Sequence, residues 1–281
     1  EQYGQDALLL AEAFRNRPAS AIRVNTLQTT DEALANALQA EGHAVRPGPW
    51  PHALLVDFVG SPAMGKSFSQ GDYHVQGLAS QFAALCVQAK PGDKVLDLCA
   101  APGGKSLTMA QQMQNTGSLV SGEVVPGRVH LIEKAFQRCG VTCARAVQND
   151  ATVFRSDWGK FDRVLCDVPC SGLGVIAKKP DIRYKDLAGM ENLCAIQQKI
   201  LQNGADSLAE NGRLVYSTCT INSQENQVQV ENFLKNNPDF RVVTPDLSLP
   251  GMQVGPYGTL FLPHKTGTDG FFVAILEKLS T

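Results

Sequence analysis

After Gly71, short apolar runs alternate with longer helical stretches along the chain. The apolar runs lie near residues 94–99, 118–123, 143–148, 162–167 and 212–217, and the helical stretches near 75–88, 104–114, 126–139 and 190–209. This alternation predicts an α/β fold with a parallel, doubly wound sheet. Two apolar segments in the tail, 240–243 and 270–276, predict an antiparallel hairpin at the sheet edge.

The first 72 residues follow a different pattern. A helix-forming stretch within residues 1–17 ends at Pro18, and it is followed by a strand at 22–25, a helix at 31–41 and a strand at 54–57. The proline- and glycine-rich stretch 46–51 is typical of turns. We therefore predict a small N-terminal α+β unit over residues 1–72 and a larger domain over residues 73–281.

Composition limits the class of protein. With 281 residues, of which 43% are hydrophobic, the chain can bury a large core, and a net charge of −2 argues against indiscriminate coating of nucleic acid. No run is long enough for a membrane span and no signal peptide is evident, so a cytoplasmic location is expected. The 8 cysteines include no CxxC pair, which favours free thiols and no metal site.

The segment from Asp97 to Ser106 combines the end of a strand, a tight turn of small residues and the start of a helix. Such a turn lets a ligand approach the backbone, and the helix offers free N–H groups. Neither the dinucleotide nor the P-loop fingerprint is present, so the turn suits S-adenosylmethionine instead. Glu123 and Asp150 follow the next two strands, where acidic residues commonly accept hydrogen bonds from ribose hydroxyls.

Two cysteines, Cys170 and Cys219, follow strands whose carboxyl ends would meet at one sheet edge, with Asp167 beside them. C5 of a cytosine is a poor nucleophile until a thiolate adds at C6, and a second group would assist the later elimination. Asp167 would bond the ring at N3 and at the exocyclic amine. The residues alone do not decide which cysteine attacks.

A basic cluster follows Cys170. Lys178, Lys179 and Arg183 lie close to Tyr184, a combination that suits phosphate contact and base stacking. Arg23 and Asn25 of the N-terminal unit are further candidates for RNA contact.

Several segments together carry a resemblance to the Sun family of RNA cytosine-5 methyltransferases, closest to the RsmB (Fmu)-type 16S ribosomal RNA enzymes. These segments are Asp97 to Ser106, Asp167 to Ile176, Tyr216 to Thr220, Pro263 to Phe272, Ile22 to Thr26 and His74 to Ser80. The resemblance covers nearly the whole chain.

The resemblance implies an S-adenosylmethionine-dependent methyltransferase domain over residues 73–281 with a Rossmann-like sheet, and an RNA-binding role for residues 1–72. It implies that Cys219 is the nucleophile and that Cys170 helps to release the product. The residues it places around the cofactor are Cys99, Ala100, Ala101, Pro102, Gly103, Gly104, Lys105, Glu123, Arg128, Asp150 and Asp167. The implied partner is RNA, with 16S ribosomal RNA as the expected target.

The chain departs from the family pattern at Glu123, where RsmB-type relatives usually carry Asp, and at Gly77, within a Val-Gln-Asp-like segment. RsmB-type proteins also carry an N-terminal domain of the NusB kind that has no counterpart in this sequence, so a truncated or short form is expected.

Two other functions stay open at this point. One is an S-adenosylmethionine-dependent amine methyltransferase, although Asp167-Val168-Pro169-Cys170 replaces the Asn/Asp-Pro-Pro-Tyr-like motif typical of that class. The other is a non-catalytic RNA-binding protein that keeps the fold.

Overall fold

The computed structural model describes residues 2–186 and 188–279. Its first elements are α1 (Asp6–Ala13), β1 (Ala21–Val24), α2 (Asp31–Ala40), β2 (Ala44–Pro47), β3 (Ala53–Asp57), α3 (Lys66–Gln70) and β4 (Tyr73–Val75). They are followed by α4 (Leu78–Cys86), β5 (Lys94–Asp97), α5 (Gly104–Gln112), β6 (Ser118–Glu123), α6 (Pro126–Arg138), β7 (Ala144–Gln148), β8 (Phe161–Asp167), α7 (Met190–Ser207), β9 (Leu208–Thr218), α8 (Gln227–Asn236), β10 (Phe240–Val243), β11 (Gln253–Gly255), β12 (Gly258–Phe261), α9 (Pro263–Thr266) and β13 (Phe271–Lys278). Within these two described ranges, no helix is both long and apolar enough to cross a membrane.

The N-terminal segment builds an antiparallel sheet in the order β2-β3-β1-β4. Thr30 caps α2, since its side chain accepts a hydrogen bond from the N–H of Ala33 at 3.2 Å. The apolar face of this helix carries Leu34 and Leu38, which are buried in one cluster with Ile22 of the sheet. The small α+β unit predicted from the sequence is confirmed.

Two strands of this sheet differ from the prediction. The segment 46–51, predicted as turns, gives Arg46 and Pro47 to β2, which pairs with β3. A proline is tolerated there because β2 is an edge strand. The helix predicted over 75–88 begins only at Leu78, because the residues before it pair with β1 as β4. The small sheet thus continues past the predicted boundary at residue 72.

Helix α1 lies apart from the small sheet, although the sequence pattern groups it with that unit. Its Leu10 and Phe14 are buried against Ile221 and Leu262, which flank the second sheet. These two apolar side chains find their partners near α9 rather than on the neighbouring strands in sequence.

The second sheet has nine strands among the described residues, in the order β11-β12-β13-β9-β8-β5-β6-β7, with β10 beside β13. Strands β5 to β9 are parallel, as predicted, and β13 is antiparallel to β9. The tail segments do pair in antiparallel fashion, through β10 and β13. The predicted position of the hairpin is wrong, since β13 lies inside the sheet between β9 and the remaining antiparallel strands.

Helices cover both faces of this sheet. On one face, Phe82 of α4 and Phe136 of α6 belong to a cluster that includes Val95 of β5. On the other face, the next strand residue, Leu96, packs in a cluster with Phe233 of α8. The predicted doubly wound, Rossmann-like fold is confirmed, and it brings the carboxyl ends of β5, β6, β8 and β9 to one edge.

A buried polar contact joins the small sheet to α5. Gln76, next to β4, accepts a hydrogen bond from the Thr108 hydroxyl of α5 at 2.9 Å and lies 3.2 Å from Nε2 of His74. Burial lowers the pKa of His74 to about 3, so the imidazole stays neutral near pH 7. These contacts fix the small sheet against the helix that begins at the glycine-rich turn.

Candidate active site

The turn between β5 and α5 holds its small residues close to neighbouring backbone. The N–H of Ala100 donates to the carbonyl of Gly122 at 2.8 Å, and the N–H of Gly103 donates to the carbonyl of Ala100 at 2.7 Å. Gly103 has a φ of 106°, and a Cβ there would lie 3.5 Å from the Cα of Ile132. Residues Cys99 to Lys105 therefore lie together at the sheet edge, where the first turn of α5 leaves its N–H groups free.

Two buried polar atoms beside the turn have no partner among the described residues. One is Oδ1 of Asp97, whose other oxygen accepts a hydrogen bond from the Ser106 hydroxyl at 2.7 Å. Burial raises the pKa of Asp97 to about 7. The other is Nδ2 of Asn149, close to Gly122 of the next strand. An unpaired acceptor and an unpaired donor around a cradle of small residues fit a polar cofactor such as S-adenosylmethionine.

Glu123 and Arg128 form one unit with the turn. The Glu123 carboxylate, buried at the end of β6, lies 3.1 Å from a guanidinium nitrogen of Arg128. The same guanidinium donates to the carbonyl of Ala101 at 3.0 Å. The second carboxylate oxygen of Glu123 accepts from the N–H of Val125 at 3.0 Å. Arg128 thus ties the rim of the turn to the acidic residue predicted to hold the ribose.

Asp150 is placed differently. Its carboxylate accepts hydrogen bonds from the N–H and the hydroxyl of Thr152, at 2.9 and 2.7 Å, and these bonds lower its pKa. It is exposed at the end of β7. This arrangement makes Asp150 the cap of a local turn, and its predicted contact with the cofactor stays a prediction.

The two thiols lie together. Cys170 follows β8, Cys219 follows β9, and their sulfur atoms are 3.2 Å apart. Both cysteines are free and half-buried. Two parallel strands that end side by side account for this pairing, since Asp167 of β8 is in register with Ser217 of β9.

The surroundings of the two sulfurs differ. The hydrogen bond with the Cys170 thiol, together with the charges of Lys105 and Lys179, lowers the pKa of Cys219 despite its burial. The same bond, burial and the charge of Glu225 raise the pKa of Cys170 well above its usual range. Of the two thiols, Cys219 is therefore the one that loses its proton more readily.

Asp167 connects the thiols to the turn. One of its oxygens lies 2.6 Å from Nζ of Lys105, and the other accepts from the Ser217 hydroxyl at 2.6 Å. Burial opposes the charge on Lys105, but Asp167 outweighs it, so the pKa of Lys105 is raised. Lys105, predicted as a cofactor contact, also holds the carboxylate predicted to bind the base.

A buried carboxylate anchors the loop that carries Cys170. Glu225 is fully buried, and it accepts hydrogen bonds from the N–H of Ser171 at 2.7 Å and from the Ser171 hydroxyl at 2.5 Å. The Ser171 hydroxyl also lies 2.8 Å from the hydroxyl of Thr220. Ser171 and Thr220 directly follow the two cysteines, so this network fixes both thiols relative to each other.

The residues of the basic loop lie in different surroundings. Lys178 is paired with Asp269 at 2.6 Å, whereas Lys179 lies close enough to Cys219 to lower its pKa. Arg183 and Tyr184 lie on an exposed turn, and the Tyr184 side chain is 87% exposed. An exposed aromatic ring beside cations leaves this turn available for stacking and phosphate contact.

Cys99 and Asn25 have structural roles. Burial raises the pKa of the Cys99 thiol well above its usual range, so this residue contributes its backbone to the turn. Asn25 is fully buried, and its amide donates to the carbonyls of Gly71 and Cys139, both at 2.8 Å. It serves the packing of the N-terminal unit rather than an exposed RNA surface.

Sequence reasoning missed four polar residues of this site, namely Asn149, Ser171, Ser217 and Glu225. Glu225 lies six positions after Cys219 in a polar segment that is typical of a helix start. Nothing in that local pattern indicates that its carboxylate reaches back to the strand-end loop of β8. Ser217 could have been found, because it lies just before the Thr-Cys dipeptide, at the strand end where ligands are expected.

A family model described as 16S rRNA methyltransferase RsmB/F matches residues 84–277. The chain belongs to this family. A second model, described as the ferredoxin-like domain of RsmF/B-like methyltransferases, matches residues 1–59. The predicted family is confirmed.

Individual relatives agree with this assignment. The chain is 37% identical to a probable ribosomal RNA small subunit methyltransferase B of Bacillus subtilis, over 93% of this chain and 60% of the relative. It is 33% identical to a human 28S rRNA (cytosine(4447)-C(5))-methyltransferase, over 94% of this chain and 35% of the relative. A crystal structure of a methyltransferase homologue from Pyrococcus horikoshii superposes with a TM-score of 0.87 at 26% identity, over 99% of this chain and 92% of that one. The chain spans 60% to 62% of the length of several bacterial relatives that it matches.

Proposed function

We propose that the protein transfers a methyl group from S-adenosylmethionine to C5 of a cytosine in ribosomal RNA, with 16S ribosomal RNA as the target. The proposal rests on the two sulfur atoms 3.2 Å apart, at the same sheet edge as the glycine-rich turn. An amine methyltransferase has no need of a thiol pair, because the amine attacks the methyl group itself. The human relative is named as a cytosine-C5 methyltransferase, which supports the same chemistry.

The thiolate of Cys219 attacks C6 of the cytosine, and the electron pair that moves to C5 makes this carbon nucleophilic. The bound cofactor supplies the methyl group as an electrophile. A base then removes the proton from C5, the double bond re-forms, and the sulfur of Cys219 leaves C6. In this scheme the Asp167 carboxylate, held by Lys105, accepts a hydrogen bond from the exocyclic amine, and from N3 once that nitrogen is protonated in the adduct.

Cys170 has a different role in this scheme. In this scheme the Cys170 thiol donates a hydrogen bond to the Cys219 sulfur, which lies 3.2 Å away, and assists the departure of that sulfur after methyl transfer. Lys179, Arg183 and Tyr184 contact the RNA next to the target base. The cytoplasmic location stays a prediction.

Nucleoside analysis tests the reaction itself. Transcripts of small-subunit and large-subunit ribosomal RNA are incubated with the protein and methyl-labelled S-adenosylmethionine, then digested to nucleosides. We expect the label in 5-methylcytidine, and in the small-subunit transcript only. Label in N4-methylcytidine or in protein contradicts the proposed chemistry, whereas equal labelling of both transcripts contradicts only the 16S target.

The role of Cys170 makes a second prediction. Cys170→Ala removes the group that assists elimination, so a covalent protein–RNA complex should accumulate on unmodified RNA and be visible as a denaturant-stable band. Cys143→Ala serves as the control, because Cys143 is a half-buried cysteine that packs against the core at the start of β7. Fast turnover of the Cys170→Ala protein without such a band excludes the assigned role.

A further inference from the structure

The ammonium group of Lys105 lies over the face of an aromatic ring. Its Nζ is 5.4 Å from the centroid of the Phe271 ring. A cation within about 6 Å of a ring centroid is attracted by the negative face of the ring, and the attraction is strongest where water is excluded. Water is largely excluded here, since the Lys105 side chain is 13% exposed and Phe271 is 4% exposed.

The pairing of β13 determines where this ring lies. Phe271 is the first residue of β13, and successive side chains of a strand point to opposite faces of the sheet. Phe271 packs in the cluster that contains Leu107 of α5, so its ring lies on the face that α5 covers. Phe272 packs on the other face, with its ring centroid 6.5 Å from that of Tyr216 in β9.

The ring complements the ion pair that Lys105 makes. Nζ of Lys105 lies 2.6 Å from a carboxylate oxygen of Asp167, which is its hydrogen-bond partner among the described residues. A lysine side chain is long and flexible, so one ion pair leaves it several ways to reach the same carboxylate. The face of Phe271 attracts the ammonium from a second side, and it offers no competing carboxylate or carbonyl that would draw the group away from Asp167.

The position of this ammonium affects the sulfur of Cys219. The pKa of that thiol is lowered by the hydrogen bond with Cys170 and by the charges of Lys105 and Lys179, and it is raised by burial and by the charge of Asp167. If Lys105 moves away, the thiolate loses a neighbouring cation and the charge of Asp167 is less well neutralised. Both changes disfavour the charged form of the thiol, so both raise its pKa.

We propose that Phe271 is a positioning residue for methyl transfer, and that its ring face holds the ammonium of Lys105 beside Asp167. It thereby keeps a positive charge near the sulfur of Cys219. The inference rests on the proposed function in taking Cys219 as the attacking thiol.

Phe271→Leu tests this role, because leucine keeps an apolar side chain at the position and removes the ring face. We expect kcat for RNA methylation to fall about 3- to 30-fold with the KM for RNA unchanged. Alkylation of Cys219 requires the thiolate, so its pH profile should move to higher pH. Cys219 is the one cysteine in the tryptic peptide 214–235, and mass spectrometry of that peptide after short iodoacetamide pulses gives the profile.

Phe272→Leu is the matched control, since the same substitution is made one residue further along and on the opposite face. It should lower the melting temperature and leave the alkylation profile of Cys219 as in the wild type. Phe271→Tyr retains the ring face and should restore the profile towards that of the wild type. An unmoved profile in Phe271→Leu overturns the proposal, and so does an equal displacement in the two leucine variants.

The alkylation profile is measured without RNA or cofactor, so two failures can be told apart. A displaced profile in Phe271→Leu, with no 5-methylcytidine formed by the wild-type protein, rejects the proposed reaction and retains the contact between the ring and Lys105. Formation of 5-methylcytidine by the wild-type protein, with an unmoved profile in Phe271→Leu, rejects the role of Phe271 alone.

Discussion

Cys219→Ala should reduce methylation of RNA at least about 10³-fold, because without the thiolate C5 of the cytosine has no route to a nucleophilic state. The trap is RNA that carries 5-fluorocytosine at the target position. In this RNA, fluorine replaces the hydrogen at C5 that a base would remove, so elimination stops and the adduct on the wild-type protein persists. The adduct should form only with S-adenosylmethionine present. The variant should form no adduct, as judged by a shifted band on a denaturing gel.

The neighbouring thiol provides the control for this result. Cys170→Ala should still form the adduct with 5-fluorocytosine, because the attacking sulfur is intact. An adduct that persists in Cys219→Ala and disappears in Cys170→Ala reverses the two assignments. The assignment of Cys219 as the attacking thiol comes from the family resemblance, and the charges of Lys105 and Lys179 near its sulfur favour a thiolate there.

Glu225→Ala should lower the free energy of unfolding by about 3 kcal/mol, because it leaves the buried N–H of Ser171 without an acceptor. It also removes one of the two acceptors of the Gln197 amide, whose other acceptor is the carbonyl of Pro169. Glu225→Gln keeps an acceptor but removes the charge, so it should cost less stability. Since Glu225 raises the pKa of Cys170, the neutral variant should shift alkylation of Cys170 to lower pH.

Thermal denaturation and mass spectrometry of alkylated peptides across a pH series measure these two effects. Glu231→Gln is the control, since Glu231 lies on the surface of α8 in an ion pair with Lys235. The positioning role is excluded if the pH profile of Cys170 alkylation in Glu225→Gln matches that of the wild type. A change in stability alone would not establish it.

The parallel part of the fold could be predicted because its central strands contain apolar runs, at 95–96 in β5, 164–166 in β8 and 214–216 in β9, that are buried on both faces between helices. The small sheet was harder to predict. β2 is an exposed edge strand that includes a proline, and β4 has three residues, so neither produces a periodic pattern. The position of α1 was not predictable for another reason. Its buried face is completed by Ile221 and Leu262, more than 200 residues away in sequence.

Some residues of the site could likewise be placed from the sequence, and others could not. The strand-end residues Asp167, Cys170 and Cys219 could be placed at one edge because parallel strands end together. Contacts between distant loops could not be anticipated, and Glu225 with Ser171 is the main case. Lys178, predicted to bind substrate, is paired with Asp269 on a segment that precedes β13. That pairing depends on β13 returning beside β9, which the local pattern does not indicate.

Strand β9 leads to Cys219 and is paired on both sides, with β8 up to Ser217 and with β13 up to Thr218. Because hydrogen bonds on both sides fix the end of this strand, Cys219 cannot move outward to reach a stacked base. In the proposed reaction, all the movement then falls to the nucleic acid, whose target base must rotate out of its stack to reach the sulfur. Cytosines locked in stable duplexes would be poor substrates, and the timing of modification would follow from when, during ribosome assembly, the target strand is still open.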